Sequence, residues 1–226
     1  MNYHPTITDQ GVTRTDTMQQ CCKRDCQSLR PATLAAKIAR PPQFTISCFH
    51  MLVTERLILR SYVESDLDDL LRLWNDPLVQ PLVTNANVTL LGPRFKESLR
   101  AQMEQATFGA IIVLKETGEF MGQGSVTILE PKNRDGTLGI CLLPKFWSNG
   151  YGTEATKFMI DHSFKWFGLN RMSLGVFAHN ARAIALYEKL GFVMEGRKRQ
   201  AVWMDNRWED ALTMGILRDE WEKKQQ

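Results

Sequence analysis

Seventeen residues, Gly139 to Ala155 (GICLLPKFWSNGYGTEA), constrain the fold of this chain more than any others. The apolar run Gly139 to Leu143 reads as a strand, and Pro144 ends it because proline offers no amide hydrogen to a ladder. After a short loop, Lys145 to Asn149, the glycines of Gly150-Tyr151-Gly152 open a helical pattern. That pattern carries Ala155, Phe158, Met159, His162 and Trp166 on one face. The first amides of a helix have no internal partner, and the macrodipole adds partial positive charge there. Glycines let the backbone approach an anion with no Cβ in the way. Strand, turn and helix start together predict a socket for a phosphate group.

Other readings of these glycines stand beside this one. The stretch holds no G-x-x-x-x-G-K-[ST], which excludes a P-loop of that kind. Gly150-x-Gly152-x-x-Ala155 does fit the relaxed dinucleotide-binding pattern, which would make a nicotinamide oxidoreductase. That pattern wants the strand to run directly into the glycines and an acid at the end of the next strand. Here Phe146 and Trp147 intervene, and the next strand ends Val176-Phe177-Ala178-His179-Asn180 without an acid. A glycine turn with no ligand is the plainest alternative.

The 226 residues suit one domain, or one domain and a tail. A net charge of +3 is too small to argue for nucleic acid. No apolar run is long enough for a membrane span, so neither partner is expected. Residues 1–50 mix Thr, Gln, Cys, Arg and Pro without periodicity and read as a disordered extension. A patterned domain covers 51–226. The chain is expected in the cytoplasm, or in mitochondria if 1–50 is a transit peptide; Asp9, Asp16 and Asp25 argue against the latter. Cys21, Cys22, Cys26 and His50 match no standard zinc spacing, and no metal is expected. Cys141 reads as a small buried hydrophobe.

Along the patterned region, Leu57 to Tyr62 is a predicted strand. Ser65-x-x-Asp68 reads as a capping box that starts a helix. Pro93 starts another, with Phe95, Leu99 and Met103 at helical spacing. Phe108 to Leu114 and Phe120 to Leu129 form a hairpin across Glu116-Thr117-Gly118-Glu119. Met172, Leu174 and Val176 alternate as a strand. A short helix, Asn180 to Leu190, has Asn180 as N-cap and Gly191-Phe192 as its stop. Phe192 to Trp203 and Arg207 to Leu217 make a closing hairpin turned at Asp205-Asn206, before a charged last helix. His162 reads as a core or boundary histidine rather than a base, and Arg197-Lys198-Arg199 as a solvated strand face.

The order and the residues resemble the GNAT superfamily of acetyl-CoA-dependent N-acetyltransferases, most closely its RimJ/RimL-type branch. Four signatures carry the resemblance over Met51 to Trp221: Thr54 to Arg60; Phe146 to Ala155; Asn180 through Tyr187 to Gly191-Phe192 with Glu195-Gly196; and Trp208-Glu209-Asp210 with Leu217 to Trp221. The resemblance implies an α+β fold, layered α/β/α, with a mixed and mostly antiparallel twisted sheet flanked by helices. In it the strand at Leu142 splays from the strand at Met172 to Val176, and acetyl-CoA enters the wedge. It implies pyrophosphate contacts at Ser148, Asn149, Gly150, Tyr151, Gly152 and Thr153, with Trp147 where relatives carry Gln or Arg. It implies cofactor contacts at Leu142, Leu143 and Asn180 as well.

Acetyl transfer to an amine needs proton loss from the amine, a donor for the oxyanion and stabilisation of the leaving thiolate. By resemblance a backbone N–H near Leu142 or Leu143 is the oxyanion donor and Tyr187 the general acid. Spacing alone leaves Tyr187 equally readable as a core residue. Relatives often place a glutamate where Thr137 stands; Glu130 is named as the base in its stead, beside Asp135 and ordered water as alternatives. The expected partners are acetyl-CoA and an amine or peptide acceptor, with the protein a monomer or homodimer. The acceptor surface is expected around Asp76 to Leu91 and the Met204-Asp205-Asn206 turn. Thr137 also motivates a non-catalytic acyl-CoA sensor on the same fold.

Overall fold

A computed structural model describes residues 51–225. The extension and the Cys21, Cys22, Cys26 and His50 group lie outside the described residues. Two short strands come first, β1 (Met51–Val53) and β2 (Leu57–Arg60). Three helices follow: α1 (Leu67–Trp74), α2 (Gln80–Val83) and α3 (Phe95–Gln105). Then come β3 (Phe108–Leu114), β4 (Phe120–Thr127) and β5 (Asp135–Leu142). After them run α4 (Tyr151–Trp166), β6 (Arg171–Phe177) and α5 (Ala181–Leu190). The hairpin β7 (Val193–Met204) and β8 (Arg207–Leu217) leads to α6 (Arg218–Lys223). All eight strands join one mixed sheet, ordered β1-β2-β3-β4-β5-β6-β8-β7.

Local chemistry explains most boundaries. Asp205 and Asn206 both take positive φ, 47° and 59°, as a two-residue hairpin turn of the I′ kind requires. Asn180 caps α5 by accepting the Ala183 amide at 3.2 Å, and Gly191 ends it at φ 105°. The start of α1 departs from the expected box. Neither Ser65 nor Asp68 caps it. A 3-10 turn, Glu64–Asp66, precedes the helix, and the buried Asp66 accepts the Val63 amide at 2.9 Å. Asp66 also receives both terminal nitrogens of Arg60, at 2.7 and 2.6 Å. A charged fork from β2 therefore decided which acid turned inward. The strand β1 and the short α2 went unread, because three or four residues carry too little periodicity.

The core lies between the sheet and its helices. Phe164 on α4 is fully buried and stacks on Trp221 of α6 with centroids 5.1 Å apart. Trp221 Nε1 donates to Asp161 at 2.7 Å, so the last helix is pinned to the longest one. His162 packs among Phe108, Phe158, Trp166 and Phe167, and burial lowers its pKa.

The sheet has one discontinuity. β5 and β6 are its parallel pair, joined at Asp135↔Arg171, Gly136↔Met172 and Thr137↔Ser173 and nowhere further. Beyond Thr137, β5 stays with β4 as far as Leu142, and β6 stays with β8 as far as Phe177. The two halves of the sheet thus open into a fork.

Candidate active site

A cleft of about 720 Å³ fills the fork. Leu138 to Leu142 of β5 form one prong, and Gly175 to Phe177 of β6 the other. The prong edges carry unpaired backbone. Leu143 N–H donates to Met121 O at 2.8 Å, which makes 143 and 121 a bonded pair of the antiparallel ladder. Ladder bonds alternate, so the N–H and C=O of Leu142 and Ile140 point away from β4 and into the fork. Buried backbone groups demand partners, and an amide-bearing chain laid along β5 would supply them. The same geometry removes Leu143 as an oxyanion donor, since its N–H is taken. Leu142 keeps its N–H, while its carbonyl accepts Trp147 Nε1 at 2.8 Å.

The mouth of the fork is the start of α4. Glu154 N–H donates to Gly150 O at 3.0 Å, so the amides of Tyr151, Gly152 and Thr153 precede the first helical bond. Ser148 and Gly150 adopt left-handed φ of 62° and 81°. No backbone acceptor among the described residues takes the amides of Ser148, Asn149 or Gly150. These orphaned donors at a helix N-terminus fit a pyrophosphate. Beside them, the Arg182 guanidinium lies 3.7 Å from the Trp147 ring centroid and adds positive charge to the wall.

A second brace holds this loop from outside. Glu154 accepts Thr54 Oγ1 at 2.5 Å, Arg56 N–H at 2.8 Å and Arg56 Nε at 2.7 Å. Arg56 Nη1 reaches Asn149 O at 3.0 Å, and the guanidinium lies 4.5 Å from the Tyr151 ring centroid. Two of the sequence signatures, one hundred residues apart, are thereby a single joint. Burial pulls the Glu154 carboxyl upward, but the hydrogen bonds from Thr54 and Arg56 outweigh it and hold it below its ordinary value. A lowered carboxyl stabilises the fold above its unfolded value and loses that contribution as pH falls through the folded one. Glu154→Gln should therefore be less stable than the parent at pH 7, with the gap closing below about pH 4.3, the ordinary glutamate value. Urea titrations at several pH values check this. The same variant should raise the KM for acetyl-CoA about five-fold by freeing the loop, roughly 1 kcal/mol.

Toward the open end of the fork, Cys141 of β5 lines the cleft together with Tyr187 of α5. Tyr187 is 8% exposed and packs edge-on against Phe192. Burial, then the charge of Cys141, pushes its phenol up to about 12. Burial, then the charge of Asp76, pushes the Cys141 thiol up to about 12 as well. Both groups therefore hold their protons at neutral pH, and Tyr187 has one to give.

Of the sequence-predicted residues, Leu142, Trp147, Ser148, Gly150, Gly152, Thr153, Asn180 and Tyr187 line the cleft. Leu143 does not. Asn149 turns its side chain onto Trp147 O at 3.1 Å, and Tyr151 packs against Phe146. Glu130 sits exposed in the turn before β5, at the strand end opposite Leu142. Asp135 is spent on Ser173 Oγ at 2.9 Å and on Arg171. Among the described residues no carboxylate lines the cleft. Val79, Leu82, Val83 and Asn85, from the segment expected to face the acceptor, line the cleft, as do Ala211 to Thr213 of β8, whereas the 204–206 turn does not. Gln123 and Ser125 of β4 also face in, and sequence reasoning missed both.

The acetyltransferase (GNAT) domain model matches residues 56–193. The uncharacterized N-acetyltransferase p20 of Bacillus licheniformis is 28% identical over 175 residues, covering 75% of this chain and 97% of the relative. Spermidine N(1)-acetyltransferase of Escherichia coli K12 is 27% identical over 48% of this chain and 59% of its own. The crystal structure of spermidine N-acetyltransferase from Vibrio cholerae in complex with CoA and spermine shares the fold. It superposes with a TM-score of 0.67 at 21% identity, over 75% of this chain and 99% of that one. No described helix is long and apolar enough to cross a membrane, and no described cluster of His, Cys, Asp and Glu could hold a metal. A forked sheet, an anion socket at its mouth and a family match over 56–193 together make the chain a member of the GNAT family, an N-acetyltransferase that uses acetyl-CoA as co-substrate.

Proposed function

We propose that the protein moves an acetyl group to a primary amine, either a peptide or protein N-terminus or a small amine, by direct attack with both substrates bound. The observation that carries this reading is that Tyr187 lines the same fork whose mouth is the anion socket of α4. The Ser148 to Thr153 amides hold the pyrophosphate, the pantetheine lies in the fork between that socket and Leu142, and Leu142 N–H faces the thioester oxygen. The amine nitrogen forms a bond to the acetyl carbon, the carbon–sulfur bond breaks, and Tyr187 donates its proton to the departing sulfur. The amine's own proton leaves through water, since the described lining offers no carboxylate to take it. The tryptophan-bearing loop, Phe146-Trp147-Ser148-Asn149, supports placement in the RimJ/RimL-type branch. The test is purified full-length chain with acetyl-CoA and a panel of peptides and small amines, read by mass spectrometry and free thiol release. Acetylated product supports the reading. Tight CoA binding with no product from any acceptor would make the protein an acyl-CoA sensor instead.

A further inference from the structure

On the sheet face away from α4, Gln123 of β4 lies directly opposite Cys141 of β5. Its neighbour Gly124 packs against Met159 of α4, which fixes Gln123 on the other face, toward the acceptor side. Gln123 is 5% exposed, and its Oε1 has no hydrogen-bond partner. A buried amide oxygen left unpaired is costly, and a native structure keeps one where a ligand completes it. Gln123 lines the cleft beside Ser125, Cys141 and Tyr187. An acceptor entering the cleft with an N–H would supply the missing partner.

The charge of the cleft narrows the class further. Its charged lining residues, Arg182 and Lys189, are both cations. Asp76, whose charge reaches Cys141, spends Oδ1 on the Leu78 amide at 2.9 Å and is not part of the wall. A polyamine brought here would meet no described lining carboxylate. An amide group in the acceptor would instead match Gln123 on both its oxygen and its nitrogen.

Resting on the acetyl-transfer reading above, we propose that Gln123 is a specificity-determining residue that pairs with an amide in the acceptor. The acceptor class is then an amine carrying a neighbouring amide, such as a peptide α-amine, rather than a polyamine. The test compares a neutral tripeptide amide with spermidine as acceptors for the full chain and for Gln123→Leu and Gln123→Glu. The tripeptide amide should exceed spermidine in kcat/KM by about ten-fold or more. Gln123→Leu should raise the tripeptide KM about ten-fold, with kcat and the acetyl-CoA KM changing far less. Gln123→Glu, near-isosteric, should shift the ratio toward spermidine; thermal melts confirm that both variants fold. Spermidine turned over faster than the tripeptide by the parent, or an unchanged tripeptide KM in folded Gln123→Leu, overturns the proposal and leaves acetyl transfer standing. Transfer to neither acceptor, nor to any of the wider panel, overturns both.

Discussion

Tyr187→Phe should lower kcat at least about a hundred-fold, the lower range for loss of a positioned acid. Affinity for acetyl-CoA should change less than about three-fold. The ring's burial and its packing on Phe192 survive the change, so the cleft keeps its shape. The hydroxyl makes no hydrogen bond within the described protein, so its removal strands no buried partner. What disappears is the phenol proton, the part of the side chain that could be given to a leaving thiolate. Steady-state kinetics, calorimetric titration of acetyl-CoA and a thermal melt separate the three effects. An unchanged kcat would take Tyr187 out of the mechanism and leave it a packing residue.

Gly122→Ala should be the most damaging single methyl in the sheet. Gly122 stands opposite Leu142, where β4 meets the last rung of β5. A Cβ there would fall on the carbonyl oxygen of Cys141, with Leu142 Cα 2.9 Å away. Both obstacles are backbone, so no rotamer change relieves them. Overpacking costs about 1–3 kcal/mol when side chains can yield, and this site should exceed it. A loss of about 3 kcal/mol corresponds to a melting temperature lower by about 6–12 °C in a chain of this size. Because the strand that must retreat is also the cleft wall, the acetyl-CoA KM should rise in the fraction that stays folded. A melt within about 2 °C of the parent would show that the two strands are not held as closely as described.

The anion socket was legible because it is local. Proline, two glycines and a helical pattern sit within a dozen residues, and backbone chemistry dictates the rest. Asn180, Gly191 and the Asp205-Asn206 turn were legible for the same reason. The fork was not readable from periodicity, since it is a matter of where pairing stops, and it came only with the family resemblance. Glu130 shows the limit of sequence adjacency: it is next to β5, but at the end away from the cleft. Leu143 shows another limit, because its amide partner, Met121, is fixed by a register that no local pattern encodes. Gln123 looked like one polar residue in a glycine-rich strand; only burial without a partner distinguishes it.

The indole hydrogen bond from Trp147 to Leu142 O has a directional consequence. With one lone pair of that carbonyl engaged by the indole, the last rung of the wall keeps a free N–H beside an acceptor already shared. An oxygen gathering negative charge finds an open donor there, whereas an N–H must share the acceptor with the indole. In the proposed reaction the tryptophan thus biases this rung toward donating, which suits the acyl oxygen better than the nucleophile.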